Sequence, residues 1–184
     1  EIDLIYGAAQ LSYEDYNQAT VIEGIEGKFA PSGSTIRNII LNFNGNLADL
    51  CVRQALAYAI DKEAISEGLT YGYEPVANTI VPEGTPYSDI CGTVECNYDV
   101  DKANQLLDEA GWTMNDSTGI REKDGTPLHV VFTCPTADSS IGSIATLLQS
   151  QLAEGGRHVE LKSMAKRDWY AHHMDTHGQA LHAV

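Results

Sequence analysis

The sequence lacks several features that would assign it directly to a functional class. No apolar run approaches the roughly 20 residues that a membrane-spanning helix needs. The chain carries no signal peptide, and we expect this absence to reflect a sequence that is part of a longer one. No P-loop, G-x-G-x-x-G loop or G-x-S-x-G elbow occurs. Nucleotide binding and serine-type catalysis therefore have no support.

Basic residues are also scarce. The 184 residues include 26 acidic and 11 basic side chains, which gives a net charge of −15. Nucleic acids and anionic membrane surfaces both require a basic patch, so neither is expected as a partner. The charge is compatible with a cationic solute, although solubility alone also explains it. The length and a hydrophobic content of 43% suit one soluble domain with its own core.

Cysteines are few, and their spacing does not predict a catalytic or zinc site. Cys91 and Cys96 lie close together in a polar loop, where a disulfide is plausible if the protein is exported. A zinc site is less favoured because no second Cys or His pair has matching spacing. We interpret Cys51 and Cys134 as small buried residues, since neither has an obvious partner base.

The segment VRQALAYAIDKEAI, residues 52–65, predicts two consecutive helices. Its apolar residues recur at helical spacing and form one buried face, as expected for an amphipathic helix. Asp61 interrupts this pattern and is a favourable N-cap for a second helix from Lys62 to about Glu67. Gly68 is the expected stop of that helix.

The remaining pattern predicts an α/β chain with a parallel β–α–β unit near its C-terminal end. Helices are expected over 12–19, over 100–110 with Asp99 as cap and Gly111 as stop, and from Ser139 or Ser140 to Gly155. A hairpin is expected around Asp124 and Gly125. The predicted strands are 2–6, 35–43, 128–134 and 158–161.

Four segments in one order carry a resemblance to a known family. They are residues 52–65, the Gly- and Pro-rich loop after them, YDVDKANQLLDEAGW (98–112) and GIREKDGTPL (119–128). Together they resemble the extracytoplasmic solute-binding proteins of ABC transporters, in the peptide, dipeptide and nickel-binding group known as solute-binding family 5. The resemblance extends from Glu1 to Trp169.

The resemblance implies an α/β fold, with a mixed sheet flanked by helices, that forms one lobe of a type II periplasmic-binding-protein fold. Residues 1–184 would form a single domain, a partial second lobe of a two-lobed protein. Residues 1–11 would be a crossover strand from the other lobe. Residues 166–184 would be a truncated C-terminal segment, because the family continues through a glycine and an aspartate into another strand where this chain reads GQALHAV.

The function that this resemblance implies is solute capture, not turnover. The protein would bind short peptides, or nickel or another metal chelate, outside the cytoplasmic membrane and deliver them to an ABC permease. No cofactor and no catalytic residue are expected. The location would be periplasmic, or extracellular and membrane-anchored as a lipoprotein, with any lipid anchor lying outside these residues.

Polar groups where strands run into loops are the candidate ligand-binding residues, because such groups fix the charged ends of a solute between two lobes. Ser139 and Ser140 also open a helix, whose N-terminus suits a carboxylate. Ordinary turn and cap chemistry explains the same residue types. The candidates are Tyr6, Asn42, Asn44, Asp138, Ser139 and Ser140.

The C-terminal histidines leave a different function open. His173 and His177 are four residues apart, so on a helix they would share a face as metal ligands do. This pair would suit a metal-dependent hydrolase, although the glutamate that follows the first histidine in zinc peptidases is missing. Incidental surface histidines explain the same pattern. A sensor or interaction module derived from a binding lobe is a further alternative.

Overall fold

The computed structural model describes Leu4 and residues 11–29, 36–82, 85, 86, 88, 96–136, 139–175 and 180–183. None of the described helices is long and apolar enough to span a membrane. A short 3-10 helix covers Gly45–Ala48. The described α-helices are α1 (Tyr13–Thr20), α2 (Leu50–Ala59), α3 (Lys62–Thr70), α4 (Val100–Glu109), α5 (Ser139–Ala153) and α6 (Lys166–Asp175). The described strands are β1 (Ile39–Leu41), β2 (Thr113–Asn115), β3 (Ile120–Lys123), β4 (Thr126–Pro127), β5 (His129–Pro135), β6 (His158–Met164) and β7 (Ala180–Ala183).

A four-stranded mixed sheet, in the order β1-β7-β5-β6, forms the centre of the fold. β5 runs parallel to β6 and to β7, whereas β1 is antiparallel to β7. The expected β–α–β unit is therefore present as β5-α5-β6. β2, β3 and β4 form a separate antiparallel sheet, with the turn at Asp124 and Gly125 joining β3 to β4. The α/β class and the mixed sheet are confirmed.

The C-terminal end of the chain contributes a strand that the sequence analysis did not assign. β7 pairs with β5 on one side and with β1 on the other, so it lies inside the sheet. The segment ALHA has neither the length nor the clear alternation that predicts a strand. Its pairing depends on two partners far away in the sequence, which a local pattern does not reveal.

Apolar side chains of α2, α4, α5 and β5 belong to one buried cluster, which forms the core. The stripe on α2 is buried as expected, with Val52 and Ala55 fully enclosed. Each fully buried aliphatic side chain of this kind contributes roughly 1.5–3 kcal/mol to the stability of the domain. The core includes Leu47, Val52, Ala55, Leu56, Ala59, Ala103, Leu107, Trp112, Leu128, Val130, Phe132, Ala145, Leu148, Leu152 and Val159.

Helix caps follow the sequence closely, with one correction. The Asp61 and Asp99 carboxylates accept N–H bonds at 2.9 and 2.8 Å from the third residue after each cap. Gly68, however, does not end α3, which continues to Thr70. The left-handed backbone that ends this helix lies at Tyr71, with φ 53°, and the backbone N–H groups of Tyr71 and Gly72 donate to Ser66 O.

Arg121, on β3, ties together three segments that meet under the small sheet. Its side chain is 5% exposed. One terminal nitrogen, Nη1, donates to the Asp108 carboxylate of α4 and, at 2.6 Å, to Trp112 O. Nε donates to Gly155 O, in the turn after α5, at 3.1 Å. This guanidinium therefore fixes the ends of α4 and α5 relative to β3.

Arg157 is a second buried arginine with far fewer partners. Its side chain is 1% exposed, and Nε donates to Leu152 O at 3.1 Å. Neither Nη1 nor Nη2 has a hydrogen-bond partner among the described residues. Burial, and secondarily repulsion by Arg121, lowers the pKa of Arg157 to about 10 from 12.5. A depression of this size corresponds to roughly 3 kcal/mol of destabilisation at neutral pH.

The two buried arginines should respond to the same substitution in opposite directions. Arg121→Met should lower the free energy of unfolding by about 2–4 kcal/mol, because it leaves two buried acceptors, Gly155 O and Trp112 O, without their donor. Arg157→Met should raise it by about 1–3 kcal/mol, because an unpaired charge leaves the interior.

Urea denaturation followed by circular dichroism measures both changes. Arg167, exposed on α6, offers a matched control, and Arg167→Met should alter the stability by less than about 0.5 kcal/mol. A loss of stability in Arg157→Met would contradict the assignment of Arg157 as an uncompensated charge.

Candidate functional site

The strand directions divide the central sheet into two edges of different character. β5, β6 and β7 are parallel, so all three end at one edge, which we call the carboxyl edge. The antiparallel β1 begins at that edge and ends at the opposite one, which we call the amino edge. In open α/β sheets ligands bind outside the carboxyl ends of the strands. The carboxyl edge is therefore the candidate site.

The two candidate asparagines lie at the amino edge. Leu41 pairs with Leu181, which pairs with Phe132, so Asn42 and Asn44 extend toward the start of β5. The Asn42 side-chain oxygen accepts the N–H of Asn44 at 3.0 Å, as in a turn. The seven residues of β5 separate the two edges by about 20 Å at roughly 3.3 Å per residue. The structure does not bring these asparagines together with the candidates after β5.

Of the candidate residues that follow β5, those that the structure describes lie at the carboxyl edge. Ser139 begins α5, and Ser140 is half-buried in its first turn. The N-terminus of this 15-residue helix thus lies beside the end of β5. Thr136 lies between β5 and α5 and is exposed. Its backbone N–H donates to Met164 O, at the end of β6, at 2.8 Å. Tyr6 and Asp138 lie outside the described residues.

A charged group that the sequence analysis missed also lies at the carboxyl edge. Arg37 precedes β1 by two residues, and its Nε lies 2.7 Å from Glu74 Oε2 while Nη2 donates to Oε1 at 3.2 Å. The Tyr13 hydroxyl donates to the same carboxylate, also at 2.7 Å. Burial, and then the hydrogen bond and negative charge of Glu74, raises the pKa of Tyr13 to about 12. The three residues are far apart in sequence, which explains why no local pattern marked them.

Four aromatic rings surround this polar contact, and we call them the aromatic clasp: Tyr13, Tyr16, Phe29 and Tyr73. The Tyr16 and Phe29 ring centroids are 4.5 Å apart, and those of Phe29 and Tyr73 are 4.6 Å apart. The Tyr73 hydroxyl also donates to Asn17 Oδ1 at 2.6 Å. The clasp therefore attaches residues 11–29 to the loop after α3.

The histidine candidates are only partly described. His173 belongs to α6, while His177 lies outside the described residues, so their pairing as metal ligands stays a prediction. In the described part of the chain no group of three or more His, Cys, Asp or Glu side chains could hold a metal ion. The sequence analysis did not single out His129 and His158, whose rings stack across β5 and β6 at 4.9 Å.

A cavity of about 240 Å³ lies near the start of β6, at the amino edge. It is smaller than the roughly 300–1,000 Å³ of typical small-molecule pockets. Gln149 lines it and donates to Val159 O at 2.6 Å, so this amide already has a partner within the domain. The cavity is therefore separate from the carboxyl edge. It is lined by Gly119, Ile120, Gln149, Ala153, Gly156, Arg157, His158 and Val159.

The predicted disulfide stays untested. Cys91 lies outside the described residues. Cys51, Cys96 and Cys134 are not bonded to one another. Cys134 is buried as expected, and its Sγ lies 3.3 Å from Ser163 Oγ, whereas the expectation that Cys51 is buried was wrong, since Cys51 is only half-buried.

A solved structure defines the class of protein to which this fold belongs. NikA from Brucella suis, in complex with Fe(III)-EDTA, superimposes with a TM-score of 0.88 and 32% identity. The match covers 100% of this chain and 37% of that one. The α/β fold is thus that of a solute-binding protein.

Sequence comparisons identify the family. Its description is "Bacterial extracellular solute-binding proteins, family 5 Middle", and its model matches residues 1–181. The chain belongs to this family. The nickel-binding periplasmic protein of Escherichia coli (strain K12) is 28% identical over 176 residues, which is 95% of this chain and 33% of that protein. The oligopeptide-binding protein OppA of Lactococcus lactis subsp. cremoris (strain SK11) is 36% identical over 132 residues, which is 68% of this chain and 22% of that protein.

Two consequences follow from family membership. The family and both relatives are named for binding, so the comparisons give the metal-dependent hydrolase no support. The chain also spans only about a third of the length of the nickel-binding relative and about a fifth of OppA.

The raised pKa of Tyr13 predicts that the contact between α1 and Glu74 weakens at high pH. Since the folded-state pKa, about 12, is above the ordinary value of 10.0, the phenol contributes stability that is complete below pH 10.0 and is lost as the pH rises toward 12. Tyrosinate absorbance should show one phenol ionising near pH 12, and Tyr13→Phe should remove it. Tyr71→Phe, at an exposed tyrosine, should leave it in place. A late ionisation that survives in Tyr13→Phe would contradict this assignment.

Proposed function

We propose that this chain is part of the solute-binding component of an ABC transporter, which captures short peptides and delivers them to a permease. The observation that carries the proposal is the family match over residues 1–181, together with a relative that is named for oligopeptide binding. Capture takes place outside the cytoplasmic membrane, in the periplasm or at the cell surface.

A metal chelate is the second candidate solute, and one observation favours it. The structure that superimposes over the whole chain at a TM-score of 0.88 holds Fe(III)-EDTA, and the relative matched over 95% of the chain is named for nickel binding. Both ligand classes carry carboxylates or amide groups that polar strand-end residues bind. The two candidates therefore use the same edge of the sheet.

The carboxyl edge supports the binding role on physical grounds. The first turn of α5 presents N–H groups beside the end of β5, and a helix N-terminus favours a carboxylate. Thr136 is exposed at the same place. The edge forms one open wall, and a binding cleft needs a second wall to bury most of the solute surface. The second wall is the other lobe of the longer protein, which closes over the solute by a hinge motion.

Native mass spectrometry of the full-length protein, purified gently from its own host, tests the solute class. A co-purifying mixture of short peptides supports the peptide carrier, and a single metal or metal-chelate adduct supports the second candidate. Calorimetric titration of the 184-residue chain alone should show only very weak peptide binding, because one wall buries little of the ligand. Micromolar affinity of the isolated chain for peptides would contradict the two-walled cleft.

The position of the cleft can be tested with two matched substitutions in the full-length protein. Thr136→Arg places a long charged side chain at the carboxyl edge and should weaken binding of the identified solute by at least about tenfold, or roughly 1.4 kcal/mol. Asn44→Arg makes the corresponding change at an exposed residue of the amino edge and should change the affinity by less than about twofold. Weaker binding in Asn44→Arg with normal binding in Thr136→Arg would place the solute at the amino edge and contradict the proposed position of the cleft. Thermal denaturation checks that both variants fold.

A further inference from the structure

The cavity at the amino edge and the buried Arg157 meet in one place. Arg157 is among the residues that line this cavity, which has a volume of about 240 Å³. The Arg157 side chain is 1% exposed, and its Nη1 and Nη2 have no hydrogen-bond partner among the described residues. A buried charge is normally paired or fully hydrogen-bonded, so an unpartnered guanidinium beside a cavity indicates a place for an anionic partner.

Neighbouring groups fix the Arg157 guanidinium at its Nε and leave its terminal nitrogens unbonded. Nε donates to Leu152 O, near the end of α5, at 3.1 Å. The group lies against Gly155, where a β-carbon would overlap the guanidinium, so only a glycine leaves room for it. Nη1 and Nη2 remain. A planar guanidinium presents such a pair of nitrogens to a carboxylate or a phosphate through two parallel N–H bonds.

Positive charge is concentrated at this place, although the chain as a whole carries a net charge of −15. Burial, and then repulsion by Arg121, lowers the pKa of Arg157 to about 10, so the guanidinium remains protonated at neutral pH. Asp108 is already bonded to Arg121. The exposed Glu154 attracts Arg157 but makes no hydrogen bond to Nη1 or Nη2. Neither carboxylate therefore serves as the partner of the terminal nitrogens.

We propose that this cavity binds a small oxyanion, either a phosphate or a monocarboxylate, through Nη1 and Nη2 of Arg157. The volume is below that of ordinary small-molecule pockets, which suits a small ion and excludes a peptide. The imidazole of His158 lines the same cavity and offers a further N–H donor. Nη1 and Nη2 are enclosed in the structure, so the end of the Arg157 side chain turns into the cavity as the ion binds.

The oxyanion site is distinct from the proposed solute site. It lies at the amino edge, and the seven residues of β5 separate the two edges by about 20 Å at roughly 3.3 Å per residue. The ion is therefore a structural ligand that supplies the partner Arg157 lacks. The gain in stability expected for Arg157→Met applies to buffer free of oxyanions. A bound oxyanion stabilises the wild-type protein and has no effect on that variant.

Calorimetric titration of the full-length protein with inorganic phosphate tests the proposal, at neutral pH and at an ionic strength held constant with sodium chloride. One phosphate should bind per chain, with a dissociation constant on the order of 1 mM. Arg157→Met should raise this constant at least about tenfold, because it removes both donors. Arg167→Met, the matched change at an exposed arginine, should alter the constant by less than about twofold.

Arg157→Lys separates the geometry of the guanidinium from its charge. Lysine keeps the positive charge but does not present two parallel N–H bonds, so this variant should bind phosphate more weakly than the wild type and more tightly than Arg157→Met. Titration with sodium acetate in place of phosphate shows whether a carboxylate is also accepted. Binding of both ions assigns the site to oxyanions in general, and binding of phosphate alone assigns it to phosphate.

Thermal unfolding gives an independent readout. Raising the phosphate concentration to ten times its dissociation constant should increase the ratio of folded to unfolded protein by about tenfold in the wild type, and the midpoint of unfolding should rise accordingly. The midpoint of Arg157→Met should not respond to phosphate.

Two outcomes would overturn the proposal. Equal affinity of the wild type and Arg157→Met for phosphate would place the ion elsewhere, for example at the N-terminus of α5 on the carboxyl edge. No binding of either ion at concentrations of up to about 50 mM, far above the expected dissociation constant, would show that Arg157 stays unpaired. Neither experiment uses the transported solute, so the proposed function does not affect the result.

Discussion

The fold depends most on the burial of β5 between two parallel neighbours. β6 pairs with all seven of its residues and β7 with three, so the strand has no free edge along that part of its length. Val130, Phe132 and Cys134 are buried on the face toward α5, and Thr133 is covered on the other face, where the Trp169 indole donates to its carbonyl at 3.4 Å. β5, β6 and β7 run in the same direction, and this shared direction defines the carboxyl edge, where ligands bind in open α/β sheets.

The second constraint on the fold is the set of hydrogen bonds that the buried Arg121 makes at the opposite end of the core. Arg121 places the C-terminal turns of α4 and α5 against the small sheet, because it donates to backbone carbonyls that those helix ends leave without partners. Arg157 lies nearby, but its terminal nitrogens have no hydrogen-bond partner among the described residues. Burial of its charge is therefore unfavourable, whereas the hydrogen bonds of Arg121 offset the cost of burying that guanidinium. Both arginines are buried, and they differ in how many hydrogen bonds their guanidinium groups make.

The sequence predicted the features that depend on residues close together in the chain. Asp61 and Asp99 cap helices through bonds that span three residues, and Gly111 adopts the left-handed backbone, with φ 84°, that ends the turn after α4. The expectation at Gly68 failed because a glycine marks a helix end only where the backbone turns left-handed, and here that residue is Tyr71. Pairing between distant strands, as in β7, and the grouping of candidate residues at the two edges were not predictable, since a local pattern does not specify strand order.

The binding cleft proposed above would need more than the carboxyl edge of the central sheet. A binding protein gains affinity by enclosing its solute, and enclosure requires two walls that move relative to each other. In the proposed function, Thr136 and the first turn of α5 would supply one of these walls. Glu74 already receives bonds from Arg37 and Tyr13, so its charge is compensated when the clasp is formed. Loss of the Tyr13 hydrogen bond alone would leave the ion pair between Arg37 and Glu74, so the Glu74 carboxylate would keep a partner.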